Sequence, residues 1–260
     1  MGDVFSENLA AWQEYAATPW ARIRYATVGA VLHRHAAELG PRLRVLDVGG
    51  GDALPLAQAG HDVTVVDPSH SWLAEADRRA RETGAQLTTL EGGLDDLPAG
   101  EWDLVLCHFM LRYRSGAEGD VAALASRLRP GGRLSVVDVN PAARVLRQLV
   151  VGGPTAATQE LHATEAVVET FATTARKVEA EQVRAACVDA GLRVVGRHGH
   201  RIATDLLTDD AAKLDPGYFA QLLSLELELS DRPPYRDIGF AWQVVAERPD
   251  ARNQARGRQT

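Results

Sequence analysis

The sequence predicts a doubly wound α/β fold, built on a mostly parallel, seven-stranded sheet with helices on both faces. Short β-branched runs alternate with helical patterns along the body of the chain. Runs such as Val63–Val66 and Leu104–Leu106 are largely apolar without alternation, which is typical of strands buried on both faces. The chain has 260 residues, of which 45% are hydrophobic and 24% charged, so it can supply the core of a full-sized domain of this class.

Seven segments are predicted as strands because β-branched and aliphatic residues are concentrated there between turn signals. In chain order they are Arg44–Val48, Asp62–Asp67, Gln86–Leu90, Asp103–His108, Arg133–Val139, Arg193–Arg201 and Gly239–Glu247. Helical patterns are predicted at Ala10–Leu39 with a break near Pro19, and at Ala53–Ala59, Ser71–Thr83, Gly119–Leu128, Glu181–Ala190 and Pro216–Leu229. Strands and helices therefore alternate through the first five strands.

Three segments lie outside this alternation. We expect a single domain over residues 1–249, with a helical cap at 1–40 and helical inserts at 140–180 and 205–237, after strands five and six. Insertions beyond the carboxyl ends of strands are where such sheets build their acceptor pockets. The polar residues 250–260 are predicted to form a disordered tail.

Composition excludes several classes of protein. A formal net charge of −7 gives no global basic field that would attract DNA or an anionic membrane. Two cysteines, Cys107 and Cys187, are too few for a disulfide framework or a Cys-rich zinc site, and Asp138 and Asn140 alone are too few oxygen ligands for a metal. No run of about 18 apolar residues and no signal-peptide pattern occurs. We therefore expect a cytoplasmic protein without a metal.

The strongest local signal is the segment Val45–Ala53, in which three glycines follow a buried strand and precede a helix. Glycines allow positive φ at such a turn and close approach of a ligand to the backbone. The segment does not fit an NAD-binding G-x-G-x-x-G, because Leu54 occupies the third glycine position, and it lacks the Gly-Lys-Ser/Thr of a phosphate loop. Asp47 would repel a diphosphate but suits a ligand that carries positive charge.

A second acidic residue, Asp67, ends the next predicted strand, twenty residues after Asp47. An acid at this place in a doubly wound fold can accept hydrogen bonds from ribose hydroxyls. The two acids and the glycine turn together predict a nucleoside that lacks phosphates and bears a positively charged amino acid. S-adenosylmethionine has this chemistry.

With these motifs the sequence resembles the class I S-adenosylmethionine-dependent methyltransferases, which have a Rossmann-like fold. Val45–Ala53 is similar to their first motif, Asp67 to their ribose-binding acid, Leu94–Asp96 to their adenine-side loop, and Leu128–Gly132 to their turn before strand five. Over most of its length the chain is similar to the tRNA 5-carboxymethoxyuridine methyltransferases. The matching stretches are Ile23–Ala26, Gly49–Asp52, Cys107–Leu111, Asn140, Arg201 with Asp205, Leu222–Glu226 and Pro234 with Tyr235.

This resemblance implies a set of cofactor contacts. They are Arg24, Gly51, Asp52, Asp67, Gly93, Leu94 and His108, and the glycine motif itself adds Asp47 and Gly49 as cofactor-binding candidates. In particular, Arg24 would hold the methionine carboxylate, and His108 would lie beside the cofactor at the end of strand four. The cofactor would be S-adenosylmethionine, and the product S-adenosylhomocysteine (SAH).

The acceptor decides which further residues are catalytic candidates. A carboxylate is already ionised at neutral pH and needs only a cation to hold it, so Arg201 is the candidate, with Tyr235 as a neutral donor. A hydroxyl would need a general base, for which His108 and His162 are candidates. The sequence thus predicts an O-methyltransferase, with esterification of a carboxylate as one option.

Two acceptors stay open at this point. The resemblance points to a modified wobble uridine of tRNA, whereas the charge of −7 and the presence of only Arg176 and Lys177 where that family has a lysine-rich run favour a small metabolite. The alternatives to a methyltransferase are an NAD(P)-dependent oxidoreductase and a non-catalytic S-adenosylmethionine-binding protein. The sequence leaves the oligomeric state open.

Overall fold

The computed structural model describes residues 8–171 and 173–250. Its strands are β1 (Arg44–Val48), β2 (Asp62–Asp67), β3 (Thr88–Glu91), β4 (Trp102–His108), β5 (Leu128–Val139), β6 (Glu165–Val168), β7 (Thr173–Arg176), β8 (Arg193–His200) and β9 (Ala241–Glu247). Its helices are α1 (Leu9–Ala17), α2 (Pro19–Leu39), α3 (Leu54–Gln58), α4 (His70–Glu82), α5 (Ala117–Ser126), α6 (Pro141–His162), α7 (Ala180–Asp189) and α8 (Pro216–Leu229). Within these residues no helix is both long enough and apolar enough to cross a membrane.

Seven strands form one sheet in the order β3-β2-β1-β4-β5-β9-β8. The pairs on the β3 side, up to β5, are parallel, and β9 runs antiparallel to both β5 and β8. The predicted doubly wound, mostly parallel, seven-stranded sheet is therefore confirmed. The carboxyl ends of β1, β2, β4 and β5 meet at one edge of the sheet, where ligands bind in this class of fold.

Apolar side chains fill both faces of the sheet, which explains why the strands show no alternation. In β4, Val105 and Cys107 join a cluster with residues of α5 and α7, whereas Leu104 and Leu106 join a second cluster with residues of α2, α3 and α4. Full burial of one such aliphatic side chain stabilises the fold by about 1.5–3 kcal/mol. Burial also raises the pKa of the Cys107 thiol well above its usual value and that of Cys187 to about 11, so both cysteines are unreactive packing groups.

The predicted break near Pro19 separates α1 from α2. Thr18 ends α1 in an extended conformation, and its hydroxyl accepts a hydrogen bond from the Ala21 amide at 3.3 Å. Pro19 follows as the first residue of α2, where its missing N–H costs nothing. The bounds of β1, β2 and α8 agree with the sequence prediction, whereas β5 begins five residues earlier, at Leu128, because that residue pairs with Trp102.

The first insert contains a helical hairpin that the sequence analysis did not resolve. α6 breaks at Gly153, whose φ is 77°, and Pro154 follows it. Arg144 Nε lies 2.8 Å from Glu160 Oε1, although sixteen residues of continuous helix would separate them by about 24 Å. The two halves of α6 therefore fold back on each other, and the antiparallel strands β6 and β7 follow them.

The single domain over 1–249 and the acceptor-side role of the inserts stay predictions. The proposed tail at 250–260 lies outside the described residues except for Asp250.

Candidate active site

The turn after β1 is built from glycines for two different reasons. Gly49 and Gly50 have φ values of 89° and 23°. A Cβ on Gly49 would lie 2.4 Å from the Met110 side chain, and a Cβ on Gly50 would lie 2.3 Å from the Val65 side chain. Neither position can therefore carry a side chain. A Cβ on Gly51, in contrast, would meet nothing within 4 Å, so this glycine borders open space into which a ligand can come close to the backbone.

The Asp47 carboxylate holds the backbone of this turn in place. Its Oδ2 accepts hydrogen bonds from the amides of Gly51 and Ala53, both at 3.2 Å, and the residue is 2% exposed. The sequence analysis predicted a carboxylate that faces a positively charged ligand, but the structure places it on the backbone of the turn. Asp47 can therefore act on a ligand through its charge and through the shape of the turn. Burial raises the pKa of its carboxyl to about 6.

Asp67, at the end of β2, has the position expected of a ribose acceptor. Its Oδ1 accepts a hydrogen bond from the Ser69 amide at 2.8 Å, and its backbone oxygen accepts one from Gly92. A Cβ on Gly93, which follows Gly92, would meet nothing within 4 Å, so open space borders the turn after β3 as well. Leu94 is 6% exposed and packs in the core, which leaves only its backbone for a cofactor contact.

Cofactor affinity is expected to fall as the solution becomes acidic. Burial raises the pKa of Asp67 to about 6, and only the ionised carboxylate is a full acceptor for ribose hydroxyls. A site that needs this ionisation should lose about tenfold in SAH affinity between pH 7 and pH 5. Calorimetric titrations between pH 7 and pH 5 measure this loss of affinity. In Asp67→Asn the affinity should depend less on pH, and the dependence that remains should come from the ionisation of Asp47. An affinity independent of pH in the unmodified protein would contradict the assignment.

Arg24, Asp52 and His108 come together from three elements although they are distant in sequence. Arg24 Nη1 lies 3.0 and 3.1 Å from the two carboxylate oxygens of Asp52. His108 Nδ1 lies 2.8 Å from Asp52 Oδ2, and its Nε2 lies 2.9 Å from Ser135 Oγ. Burial alone would raise the pKa of Asp52, but Arg24 and His108 outweigh it and hold that pKa well below its usual range. These three side chains therefore lie together, and their contact with a cofactor stays a prediction.

The contacts of His108 bear on its predicted role as a base. Both ring nitrogens are engaged inside the protein, and the side chain is 4% exposed. A general base needs one nitrogen within hydrogen-bond reach of the acceptor. In this arrangement His108 holds Asp52 and offers no free nitrogen.

The guanidinium of Arg24 is also held by aromatic rings. Its Cζ lies 3.6 Å from the ring centroid of Tyr25 and 4.9 Å from that of Phe109. Phe109 directly follows β4 and has a φ of 60°, which is strained for a residue with a side chain. Strain of this kind is concentrated at functional sites, and here it turns the ring towards the arginine at the ligand edge of the sheet.

Arg201, the predicted acceptor-binding cation, is part of a tightly built loop. Its Nε and Nη2 donate to the two carboxylate oxygens of Asp205 at 2.5 and 2.6 Å, and its Cζ lies 3.9 Å from the Phe240 ring centroid. The buried carboxylate of Glu226 accepts hydrogen bonds from the three consecutive amides of 202–204 and fixes the loop. Arg201 is 4% exposed, so the structure places it as a held cation and not as a free one.

Tyr235 and His162 are exposed residues of the second and the first insert. Tyr235 is 48% exposed in a short turn that Asn140 ties down, because the Asn140 amide donates to the backbone oxygens of Asp237 and Gly239. The same side chain caps the start of α6 through Ala142. His162 ends α6 and is exposed. Asn140 thus joins both inserts at the carboxyl end of β5.

The N-terminal cap and the first insert meet beside the glycine turn. The Trp12 ring of α1 packs edge-on against Trp72 of α4, with 4.7 Å between centroids, and Trp72 contacts Phe171 of the insert at 6.3 Å. Trp12 and Trp72 also line a small cavity of about 20 Å³ with Asp47 and Gly51. Both segments predicted to cover the site therefore lie next to it.

Sequence reasoning missed several polar residues that serve the site. Ser135 and Gln243 lie inside the buried strands β5 and β9, and Glu226 lies on α8, and all three are 0% exposed. A polar residue inside an otherwise apolar strand is the signal that could have found the first two, because buried polar groups are nearly always hydrogen-bonded. Within residues 8–171 and 173–250, no cluster of three or more His, Cys, Asp and Glu side chains could hold a metal ion.

Comparisons with known proteins find methyltransferases among the relatives of this chain. Residues 45–132 match the family described as a methyltransferase domain. The tRNA 5-carboxymethoxyuridine methyltransferase of Escherichia coli K12 is 27% identical over 263 residues, which covers 98% of this chain and 97% of that protein. The ubiquinone biosynthesis O-methyltransferase of Xanthomonas axonopodis pv. citri is 33% identical over 115 residues, which covers 42% of this chain and 48% of that protein.

Solved structures confirm the fold. Magnesium protoporphyrin IX methyltransferase from Synechocystis PCC 6803, with bound SAH, has a TM-score of 0.62 and 20% identity, and the match covers 95% of this chain and 97% of that one. A SAM-dependent methyltransferase from Thermotoga maritima has a TM-score of 0.60 and 16% identity, with 95% and 99% covered. Together with the family match, these findings confirm the predicted enzyme class, which is an S-adenosylmethionine-dependent methyltransferase of class I.

Proposed function

We propose that this S-adenosylmethionine-dependent methyltransferase esterifies a carboxylate, and that its acceptor is the carboxymethoxy group of a modified wobble uridine in tRNA. The observation that carries the acceptor is the extent of the similarity to the Escherichia coli tRNA enzyme. That similarity spans 98% of this chain and so includes the cap and both inserts, whereas the similarity to the ubiquinone enzyme covers 42%. The cap and the inserts are the segments that build the acceptor side of such a sheet.

The contacts of His108 support a carboxylate acceptor. A carboxylate is ionised at neutral pH and attacks without loss of a proton, so a site in which His108 offers no free nitrogen is sufficient. The cofactor supplies both the methyl group and the leaving group when it is bound. The task of the protein is to align the acceptor oxygen with the methyl group and to exclude water, which can contribute on the order of 7–11 kcal/mol.

A small metabolite with a carboxylate is the second candidate, and the charges at the rim favour it. Lys177 pairs with Glu160 at 2.8 Å, and Arg201 pairs with Asp205. Arg176 donates to backbone oxygens of Arg114 and Leu111. Tight tRNA binding needs clustered cations that are available to phosphates, and the net charge of the chain is −7. Cytoplasmic location stays a prediction.

Methylation assays with methyl-labelled cofactor distinguish these acceptors. Total tRNA from a strain that lacks this gene is incubated with the protein, and the nucleosides are analysed by mass spectrometry. The proposal predicts a new methyl ester on a uridine derivative. Mild alkali should release the labelled methyl group as methanol, because esters hydrolyse in mild alkali and ethers do not. Unchanged nucleosides in both the strain and the assay would remove tRNA as the acceptor. Cofactor binding without transfer to tRNA or to any carboxylic acid would indicate a non-catalytic binding protein.

Arg201→Ala is expected to raise the acceptor KM about tenfold, which corresponds to a loss of about 1.4 kcal/mol in the free energy of acceptor binding. The same variant should leave the affinity for SAH within about twofold of the unmodified protein. The reason is that Arg201 belongs to the acceptor side and shares no contact with Asp67 or Asp52. Asp205→Asn is the matched variant, since it weakens the competing partner and should lower the acceptor KM. Steady-state kinetics and calorimetry measure both parameters. If Arg201→Ala weakened SAH binding instead, the division into cofactor and acceptor sides would be wrong.

A further inference from the structure

A closed ring of buried polar contacts connects the cofactor site to the far strands of the sheet. Its members, in order, are Arg24, Asp52, His108, Ser135, Gln243, His200 and Thr27, and each is at most 7% exposed. Beyond His108, Ser135 Oγ lies 2.8 Å from Gln243 Nε2, and Gln243 Oε1 lies 2.9 Å from His200 Nε2. His200 Nδ1 lies 3.1 Å from the Thr27 hydroxyl, which also contacts the backbone oxygen of Arg24. The ring therefore begins and ends at Arg24 of α2.

The carboxylate of Asp52 gives this ring a direction. A carboxylate only accepts hydrogen bonds, so His108 must donate to it from Nδ1, and its Nε2 then accepts from the Ser135 hydroxyl. Ser135 Oγ in turn accepts from the Gln243 amide nitrogen. The Gln243 oxygen accepts from His200 Nε2, and burial lowers the pKa of His200 to about 3, so that ring is neutral. The Thr27 hydroxyl then donates its one proton to His200 Nδ1, and its 3.1 Å approach to the Arg24 backbone oxygen is a polar contact in that arrangement.

We propose that Ser135, Gln243 and His200 are positioning residues for the cofactor site, which fix His108 in its Nδ1-protonated form and thereby hold Asp52 and Arg24. Ser135 and Gln243 lie inside β5 and β9, and the side chains of all three residues are fully buried, so they act through His108 and through the seat of α2. This proposal rests on the assignment of Arg24 and His108 to the cofactor site. It goes beyond that assignment, since it gives a binding role to residues of β5, β8 and β9.

The composition of the ring supports this interpretation. Apolar residues of similar volume at these buried positions would often stabilise the fold at least as well as the polar residues do. The reason is that each buried polar group must keep all its hydrogen-bond partners to offset the cost of its desolvation. Five elements, namely the turn after β1, β4, β5, β9 and β8, contribute one member each, and α2 contributes two. One missing partner leaves its neighbours free to rotate, and the loss is then transmitted along the ring to Asp52.

Long-range proton–nitrogen NMR of the histidine rings tests the direction without any methyl acceptor. The proposal predicts that His108 carries its proton on Nδ1 and His200 on Nε2, with the signals assigned through His108→Gln and His200→Gln. A proton on His108 Nε2, in a neutral or a doubly protonated ring, would overturn the proposed direction. Absence of SAH binding in the unmodified protein would instead overturn the cofactor assignment, so the two failures are distinguishable.

Variants of Ser135 test the positioning role. Ser135→Ala should raise the Kd for SAH about tenfold, since it leaves a buried acceptor and a buried donor without partners, whereas Ser135→Thr keeps the hydroxyl and should stay within about twofold. Val136→Ala is the matched control, because Val136 is equally buried on the opposite face of β5. It should lower the melting temperature and leave the Kd unchanged. An unchanged Kd in Ser135→Ala, or an equal loss in Val136→Ala, would overturn the proposal.

Discussion

Arg24→Met is expected to lower the free energy of unfolding by about 3–5 kcal/mol and to weaken SAH binding at least tenfold. The first effect arises because the variant leaves the carboxylate of Asp52 buried beside His108 with no cation, since Arg24 Nη1 contacts both of its oxygens. The second arises because the resemblance assigns to Arg24 the methionine carboxylate of the cofactor. Chemical denaturation and calorimetry measure the two quantities separately.

A double variant separates these roles. Adding Asp52→Asn to Arg24→Met removes the unpaired charge, so stability should return in part, whereas SAH affinity should stay low because the cation is still absent. Recovery of full affinity in the double variant would mean that Arg24 only balances Asp52. In that case the methionine carboxylate would have to be held by another group.

Asp67→Ala is expected to weaken SAH binding at least 100-fold, with a much smaller effect on stability. Two ribose hydroxyls would lose a charged acceptor, at about 1.5–3 kcal/mol for each hydrogen bond to a charged group. Among the residues that the structure describes, the side chain accepts one hydrogen bond, from the Ser69 amide, so the fold loses little. Glu91→Ala is the matched control, because Glu91 pairs with Asp67 at the end of the neighbouring strand and is exposed. An equal effect of both variants, or no effect of Asp67→Ala, would contradict the ribose assignment.

Much of the sheet could be predicted from sequence because it depends on local patterns. β1 and β2 begin and end at the predicted residues, since each is an aliphatic run between turn residues. The glycine turn could be predicted because three consecutive glycines after an aliphatic run are typical of a strand-to-helix turn with positive φ. Asp67 follows from its place at the end of β2. These features need only short stretches of chain.

Features that depend on distant partners could not be predicted in this way. Ser135 and Gln243 are 108 residues apart, and nothing near either of them in sequence predicts the hydrogen bond between them. The hydrogen bonds from the amides of 202–204 to Glu226 likewise join segments more than twenty residues apart. The fold of α6 was hidden because Gly153 and Pro154 interrupt the helical period at the point where the hairpin turns.

The central claim is that the crevice formed by the glycine turn, Asp67 and Arg24 binds a sulfonium nucleoside. Isothermal titration of the protein with SAH at two temperatures tests it most directly, because burial of a ligand changes the heat capacity, so that a zero heat at one temperature cannot hide binding. The account predicts saturable binding of one SAH per chain, which Asp67→Ala weakens. No binding heat at either temperature, or equal affinity for NAD(P), would contradict it.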